Sequence, residues 1–145
     1  MASQEKRDMS RSEDYLVMIY NLHQQKGYTS TLDLSERLGV KPPTVSSMVA
    51  KLARDGYLVH EPYRGMRLTP SGTTVARSII RRHETVEAFL IMLGIDKDVA
   101  HTDSEGLEHH LHPVTLRKLE QLVEFFRNNP DILRAIRNAV DETHP

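Results

Sequence analysis

The chain has no cysteine and no tryptophan. Without cysteine, disulfides, zinc–thiolate sites and thiol catalysis are excluded. No apolar run approaches the roughly 20 residues that a membrane-spanning helix needs, and residues 1–11 lack the apolar core of a signal peptide. No glycine-rich phosphate loop is present either. We therefore expect a cytoplasmic protein that has no membrane partner and holds any metal through oxygen and nitrogen atoms.

The 145 residues are enough for one compact domain, or for two small ones that share an interface. The net charge of −1 conceals an asymmetry, because residues 1–77 carry +3 and residues 78–145 carry −4. We expect the two halves to bind different partners. An asymmetry of this size also occurs in domains that bind no anion.

Residues 101–112 combine histidines with carboxylates and contain no lysine or arginine. On a helix, side chains three and four residues apart lie on one face, which aligns His101, Glu105 and His109. A second row on that face is Glu105, Glu108 and His112. Like charges at this spacing destabilise a helix, and a divalent cation such as Mn, Fe, Zn, Co or Ni would remove the repulsion. The alternative is a solvated acidic face with unused histidines.

Residues 30–52 have the pattern of a helix-turn-helix. The Ser-x-x-Asp form of residues 30–33 is typical of a capping box, and Pro42 and Pro43 suit the first turn of the second helix. Polar side chains on that helix fit phosphates and base edges in a major groove, although other polar helix surfaces look similar. The predicted DNA-contacting residues here are Lys41, Pro43, Thr44, Ser46, Ser47 and Lys51.

Two short strands are predicted at residues 57–60 and 66–69, on either side of a turn. A hairpin directly after a helix-turn-helix forms a wing. Arg64 at its tip is predicted to contact backbone phosphate or the minor groove. The alternative for Arg64 is an ordinary exposed residue of a turn.

The second half of the chain is predicted to be helical. A long helix begins at Thr69-Pro70 and carries His83 and Glu87 one turn apart. Such a pair is usually a surface hydrogen bond, and it gains significance if residues 101–112 pack against it. Two more amphipathic helices follow, and we expect part of their apolar surface to be buried in a homodimer. Packing of these helices on each other alone is the alternative.

Several short motifs occur in a specific order over residues 12–126. They resemble the metal-dependent repressors of the diphtheria toxin repressor family, and are most similar to its manganese transport regulator branch. The matching residues are Glu13-Asp14-Tyr15, Ile19-Tyr20, Pro43-Thr44-Val45-Ser46, Tyr63-Arg64-Gly65, Leu68-Thr69, Arg82-His83-Glu84 and Glu105-Gly106-Leu107-Glu108-His109-His110.

The resemblance implies a set of metal ligands. In the manganese branch they match Asp14, His83, Glu105, Glu108 and His109. In the iron-responsive branch, residues that match His83, Glu87 and His101 form a second site, and all three have suitable chemistry here. One departure is Val17, which stands where the manganese branch usually has a glutamate. We therefore predict two ions per subunit, one in an Asp/Glu/Glu/His site and one in a His/Glu/His site.

The resemblance also indicates the metal. Asp14 and Glu105 replace the methionine and cysteine of the iron-responsive branch, and hard oxygen ligands favour Mn2+ over softer ions. Fe2+, Zn2+ and Co2+ are the alternatives. Asp14 belongs to the predicted DNA-binding half, so the hypothesis is that metal joins the two halves of the chain.

The combined prediction is a mainly α fold. Residues 1–73 form an N-terminal winged helix-turn-helix with a small β-hairpin wing, and residues 74–145 form an all-helical dimerisation and metal-binding domain. The predicted function is a Mn2+-responsive repressor of metal-uptake genes that binds a palindromic operator in double-stranded DNA as a homodimer. The alternatives are an iron- or zinc-responsive regulator of this family and a winged-helix regulator that senses a small organic ligand. An enzyme is not expected, because the motifs of zinc peptidases and di-iron bundles are missing.

Overall fold

The computed structural model describes residues 2–61 and 63–143, with side chains from residue 11 onward. These residues form seven helices and one two-stranded antiparallel sheet, which confirms the predicted fold class. The elements are α1 (Ala2–Lys26), α2 (Thr31–Leu38), α3 (Pro42–Arg54), β1 (Leu58–Glu61), β2 (Gly65–Leu68), α4 (Pro70–Met92), α5 (Lys97–Leu107), α6 (Pro113–Asn128) and α7 (Pro130–Thr143).

The contacts divide the chain into two compact units, Met1–Ile80 and Arg81–Pro145. The division falls within α4, and the domain limits of 1–73 and 74–145 stay a prediction. Within the described part of the chain, no helix combines the length and apolar character needed to cross a membrane.

The core of the first unit joins α1, α2, α3 and the hairpin. The apolar residues of α1 recur at helical spacing, so that one side of the helix is buried. Burying one such side chain stabilises the fold by about 1.5–3 kcal/mol, and the shared core therefore holds α3 firmly against its neighbours. The side chains with almost no exposure include Leu16, Ile19, Leu22, Leu34, Val45, Leu52, Leu58 and Met66.

Local hydrogen bonds set the limits of α2. The backbone N–H of Asp33 donates to Ser30 Oγ, and the N–H of Ser30 donates to Asp33 Oδ2, both at 3.1 Å. The predicted capping box is thus confirmed. The helix ends at Leu38 and is capped by Gly39, whose φ of 64° lies in the left-handed region that glycine adopts without strain. This turn leads directly into α3, which begins at Pro42.

The hairpin pairs Leu58 with Leu68 at one end and Glu61 with Gly65 at the other. Each strand lies one residue away from its predicted position, because the pairing of Glu61 with Gly65 shortens the turn. The N–H of Met66 donates to the carbonyl of Thr29 at 2.9 Å, which ties the loop before α2 to the wing. A Cβ on residue 65 would come within 2.3 Å of that carbonyl oxygen, so this approach requires glycine.

The start of α1 differs from the prediction. The helical spacing of Tyr15, Met18, Ile19 and Leu22 predicts a helix from Ser12 to Lys26, but the helix begins ten residues earlier, at Ala2. Its first residues have no apolar periodicity, and this was the signal used to place the helix. They are rich in alanine, glutamine, glutamate, lysine and arginine, which have high intrinsic helix propensity.

In the second unit, the predicted single helix over residues 101–112 is wrong. Helix α5 begins after Asp96, ends at Leu107 and is followed by a turn, while His112 caps the start of α6. His112 precedes Pro113, and proline disfavours the helical conformation in the residue before it. Helix α5 ends at Leu107 with Glu108 as its C-cap, so the two expected rows do not continue along one helix to His109 and His112, whereas His101 and Glu105 remain one turn apart on α5.

Helices α5, α6 and the second part of α4 supply the buried apolar residues of the second unit, which include Val86, Ala100, Leu116, Val123 and Phe126. Helix α7 is different, because none of its described residues is buried. Ile132, Ile136 and Val140 recur every four residues along it and are exposed. This apolar stripe is available for a further partner.

Candidate metal centre and nucleic-acid interface

Two helices of the second unit bring two imidazoles and one carboxylate together. His83 and Glu87 lie one turn apart on α4, with His83 Nε2 3.0 Å from Glu87 Oε2. His101 on α5 places Nδ1 3.1 Å from that carboxylate oxygen and 3.3 Å from His83 Nε2. One ligand atom from each residue lies within 4.8 Å of the other two. The three atoms can surround one cation.

The electrostatics of this cluster favour a positive charge at its centre. The hydrogen bond with His101 lowers the pKa of Glu87, and the contact with Glu87 raises the pKa of His101. Both shifts arise because a carboxylate is stabilised by a nearby cation. A divalent ion supplies the same charge through neutral imidazole nitrogens, which are common metal ligands.

Glu108 lies beside this cluster with only 8% of its surface exposed. Its Oε2 is 3.2 Å from His83 Nδ1, but the two groups lack the alignment of a hydrogen bond, and this oxygen is buried without a hydrogen-bond partner among the described residues. Burial raises the pKa of Glu108. A buried carboxylate oxygen left in this state is costly, and a metal ion is one way to satisfy it.

The other predicted ligands are placed less tightly. Glu105 is exposed, with Oε1 3.6 Å from His101 Nε2, and His109 Nε2 lies 3.5 Å from Glu108 Oε1. Asp14 lies on α1 in the first unit and is exposed. Within the described residues, His83, Glu87 and His101 are the group that meets closely enough for a common ion. The donor set contains oxygen and nitrogen but no sulfur, and it fits Mn2+, Fe2+, Co2+ or Zn2+.

Sequence reasoning missed Ser104, which is fully buried on α5. Its hydroxyl donates to the carbonyl of His101 at 2.8 Å and lies 3.5 Å from His83 Nδ1. Such contacts around ligands restrict the orientation of an imidazole ring. The only signal in the sequence was its position one turn after Ala100, a small residue buried on the same face.

The second helix of the helix-turn-helix, α3, presents most of the predicted DNA contacts to solvent. Val45, Val49 and Leu52 are buried, so the opposite side of α3 faces outward. Lys41 precedes the helix without a side-chain cap, and none is needed, because Pro42 and Pro43 have no backbone N–H and the N–H of Thr44 donates to the carbonyl of Lys41 at 3.0 Å. Lys51 is half-buried, and the exposed residues are Lys41, Pro43, Thr44, Ser46 and Ser47.

The wing adds an exposed basic residue, Arg64. Arg67 on the same hairpin is 2.6 Å from Glu61 and is thereby partly neutralised. Tyr63 next to Arg64 is fully exposed and has a φ of 66°, a conformation that costs roughly 1–2 kcal/mol in a residue other than glycine. The N–H of Arg64 donates to the carbonyl of Glu61 at 3.2 Å, which closes the turn between the two strands.

Comparison with protein families agrees with both the candidate metal centre and the candidate nucleic-acid interface. Residues 9–66 match the iron dependent repressor N-terminal DNA binding domain, and residues 69–136 match the iron dependent repressor metal binding and dimerisation domain. The chain belongs to the iron dependent repressor family. The resemblance inferred from the sequence motifs is confirmed.

Relatives cover nearly the whole chain. The HTH-type transcriptional regulator MntR of Listeria welshimeri is 41% identical over 133 residues, which is 92% of this chain and 93% of the relative. MntR of Lysinibacillus sphaericus is 43% identical over 124 residues, or 86% of this chain and 89% of the relative. By name, these relatives are transcriptional regulators, which is not an enzymatic role.

Solved structures of the family are similar as well. The manganese regulator SloR has a TM-score of 0.68 and 32% identity, and the metal-dependent transcriptional regulator MtsR has a TM-score of 0.73 and 30% identity. Both similarities cover 79% of this chain but 54% of the other chain. The chain therefore matches about half the length of these two regulators.

Proposed function

We propose that the chain is a cytoplasmic, Mn2+-responsive repressor of metal-uptake genes that binds a palindromic DNA operator as a homodimer. The observation that carries this proposal is the meeting of His83, Glu87 and His101 in a chain that also has a winged helix-turn-helix. A similar solved structure, at 33% identity, is that of a manganese-dependent transcriptional repressor in complex with manganese, which supports the choice of metal.

Two groups of side chains hold the ions in this proposal. His83, Glu87 and His101 are the first site. Glu108 and His109 are the centre of the second, to which Glu105 and Asp14 contribute carboxylates. The buried, unpaired oxygen of Glu108 supports the second site. The 3.6 Å contact of Glu105 is with His101 of the first site, so the assignment of Glu105 to the second site follows the family resemblance. Asp14 is included on the family resemblance alone.

Manganese is favoured over zinc by the type of donor. Mn2+ accepts carboxylate oxygens readily, whereas sulfur ligands would select softer ions. Zn2+ binds such sites tightly as well, because affinity follows the Irving–Williams order. The relatives include a structure of ScaR with bound Zn2+. We therefore expect Mn2+ and Zn2+ to differ in how strongly each ion raises the affinity for DNA, and not in metal affinity alone.

The residues explain why regulation needs a cation. The bound ion supplies positive charge to a group of carboxylates that otherwise repel each other. Asp14 lies on α1 of the DNA-binding unit. As a ligand of the second ion, it makes the conformation of that unit depend on whether metal is bound. The shift between states is limited by the difference in metal affinity between them.

DNA is bound through α3 and the wing. Thr44, Ser46 and Ser47 on the outer side of α3 face base edges in the major groove, while Lys41, Lys51 and Arg64 contact phosphates or the minor groove. Two copies in a symmetric dimer read half-sites about 34 Å apart, one turn of the double helix. A palindromic operator matches this two-fold symmetry.

The test begins with selection of tight-binding duplexes from random DNA by the Mn2+-loaded protein. Fluorescence anisotropy then measures binding of the selected duplex at one fixed salt concentration, with Mn2+, Fe2+, Zn2+ or no metal. We expect Mn2+ to raise the affinity at least tenfold, and the selected sites to be palindromic. The Asp14→Ala variant should remain folded and lose this rise. Equal binding with and without metal contradicts the proposal.

A further inference from the structure

A small cavity in the first unit is lined almost entirely by side chains that donate hydrogen bonds. It lies where the last turns of α1, strand β2 and the first turns of α4 meet, and its volume is about 140 Å³. Of the described residues that line it, Leu68 is the apolar one and none is a carboxylate. The others are Tyr20, His23, Gln24, Arg67, Thr73 and Arg77. All of them belong to the unit Met1–Ile80.

The two arginines of the lining are each held through Nε. Arg77 Nε donates a long hydrogen bond of 3.4 Å to the hydroxyl of Tyr20, and its guanidinium lies 5.9 Å from the centre of that ring. Arg67 Nε donates to Glu61 Oε1 at 2.6 Å. Within the described part of the chain, neither arginine forms a hydrogen bond or ion pair through its terminal amino groups. Those N–H donors are therefore left for a ligand.

The charge around the cavity is positive because of its side chains. Glu61 partly neutralises Arg67, whereas Arg77 has no ion pair among the residues that the structure describes. Helix α1 ends beside the cavity and α4 begins there, and the partial charges of a helix C-terminus and a helix N-terminus have opposite signs. These two helix ends offset each other, so the attraction for an anion comes mainly from Arg77.

We propose that this cavity binds one phosphate-type oxyanion through the terminal amino groups of Arg67 and Arg77, with Tyr20 positioning Arg77. A guanidinium presents parallel N–H groups that match two oxygens of a phosphate. The hydroxyl of Thr73 and the amide of Gln24 donate to the remaining oxygens. The cavity is smaller than the roughly 300–1,000 Å³ of pockets that enclose drug-sized ligands, and it suits a single tetrahedral anion. This site needs no metal, so it goes beyond the proposed function.

A phosphate group can reach the cavity from two sources. One is inorganic phosphate in solution. The other is a backbone phosphate of bound DNA, because His23 and Arg67 also line a larger open cleft that extends to Arg64 of the wing. Both sources present the same charged oxygens, and two measurements distinguish them.

Titration of the full-length, metal-free protein with inorganic phosphate tests the site. Sodium chloride keeps the ionic strength constant, and the 1H–15N signals of the arginine Nε–Hε groups report binding. We expect the signals of Arg67 and Arg77 to shift and to saturate, while that of Arg117 on α6 stays unchanged. Arg77→Gln should weaken phosphate binding at least about tenfold, because it removes charge-assisted hydrogen bonds. Arg117→Gln is the matched control and should bind phosphate like the wild type, and circular dichroism verifies that both variants are folded.

The Tyr20→Phe variant tests the positioning of Arg77. It keeps the aromatic ring beside the guanidinium and removes the hydroxyl that accepts from Nε. We expect phosphate affinity to fall about threefold and the Nε–Hε signal of Arg77 to move in the phosphate-free protein, whereas the signal of Arg67 does not move. An unchanged Arg77 signal with unchanged affinity overturns the role of Tyr20.

Fluorescence anisotropy with operator DNA at several salt concentrations identifies the source of the phosphate. If a backbone phosphate fills the cavity, Arg77→Gln reduces the slope of log K against log salt concentration by about 0.9 per copy. If inorganic phosphate alone fills it, the slope equals that of the wild type and the phosphate titration still saturates. Phosphate shifts without saturation, together with a wild-type slope for Arg77→Gln, overturn the site. If the protein binds no DNA, the proposed function fails, and the phosphate titration alone decides whether the site exists.

Discussion

Nδ1 of His101 lies 3.1 Å from Oε2 of Glu87, although the two residues are 14 positions apart and belong to different helices. Each residue alone is an unremarkable polar group on a helix. Together with His83 they form a group whose ligand atoms all lie within 4.8 Å of one another. An ion held by these three residues would link α4 to α5.

The first prediction concerns metal-dependent stability. A ligand that binds only the folded state at 100 times its dissociation constant stabilises it by about 2.7 kcal/mol, so Mn2+ should raise the melting temperature of the wild type. His101→Ala removes a ligand of the first site and should lose a large part of that rise. Differential scanning fluorimetry with and without Mn2+ measures the effect. His110→Ala, a change at an exposed histidine outside the proposed sites, serves as the control and should keep the full rise.

The second prediction concerns the wing. The proposed dimer carries two copies of Arg64, and if each neutralises one phosphate, Arg64→Ala should weaken DNA binding and reduce the slope of log K against log salt concentration by about 1.8, or about 0.9 per copy. Anisotropy titrations at several salt concentrations give this slope. Arg117→Ala on α6 removes the same charge from the second unit, and its slope should equal that of the wild type. An unchanged slope for Arg64→Ala would remove Arg64 from the interface.

The third prediction concerns acid stability through the capping box. The hydrogen bond from Lys26, followed by that from Ser30, lowers the pKa of Asp33 from 3.8 to about 2. The folded-state pKa is below the unfolded value, so this stabilisation is complete above about pH 4 and is lost as the pH falls toward 2. Urea unfolding at pH 5 and pH 3 should show a smaller pH effect in Asp33→Asn than in the wild type.

Ser30→Ala offers an independent check on the same cap. Loss of a serine cap typically costs about 1 kcal/mol, and α2 packs directly against α3, the second helix of the helix-turn-helix. We expect this loss in the free energy of unfolding at neutral pH. Thr31→Ala, which changes a hydroxyl one position later, should cost less, and an equal cost would contradict the role of the cap.

The fourth prediction contrasts two glycines. A Cβ on residue 72 would come within 1.9 Å of the carbonyl oxygen of Tyr57, whereas a Cβ on residue 106 meets nothing within 4 Å. Gly72→Ala should therefore destabilise the protein by about 3 kcal/mol or more. Gly106→Ala, near the end of α5, should stabilise it by about 0.5–1 kcal/mol. Thermal and urea unfolding of the two variants should show opposite signs.

The fifth prediction concerns the partner of α7. Ile136 lies in the exposed apolar stripe of this helix, and the family match assigns dimerisation to residues 69–136. Ile136→Asp should shift the protein toward monomer in sedimentation velocity experiments at micromolar concentration. Asn138→Asp introduces the same side chain about half a turn away and should leave the dimer intact. If both variants stay dimeric, the interface lies elsewhere.

Much of the fold was predictable because its signals are local. The cap at Ser30 and Asp33, the turn at Gly39 and the proline at position 42 act within a few residues, so they specify α2 and α3 whatever the rest of the chain does. Apolar spacing does the same for the buried side of each helix. The start of α1 was missed because helix propensity, and not periodicity, extends it to Ala2.

The ligand chemistry was also visible in the sequence, since carboxylates and imidazoles are residue types. The sequence did not show which of them meet. The predicted rows across residues 101–112 assumed one helix, but α5 ends at Leu107 with Glu108 as its C-cap, so helical spacing no longer places His109 and His112. Helical spacing is a local rule, and it stops applying where the helix stops.

By itself, the sequence determined the order of the helices, the wing and the kinds of atom available to a metal, because these depend on short-range backbone preferences and on side-chain chemistry. Only the tertiary structure decided that His101 meets Glu87 and that His83 lies between Glu87 and Glu108. Those distances depend on how α4 and α5 pack, which is set by the buried side chains of several helices together and by no single stretch of the chain.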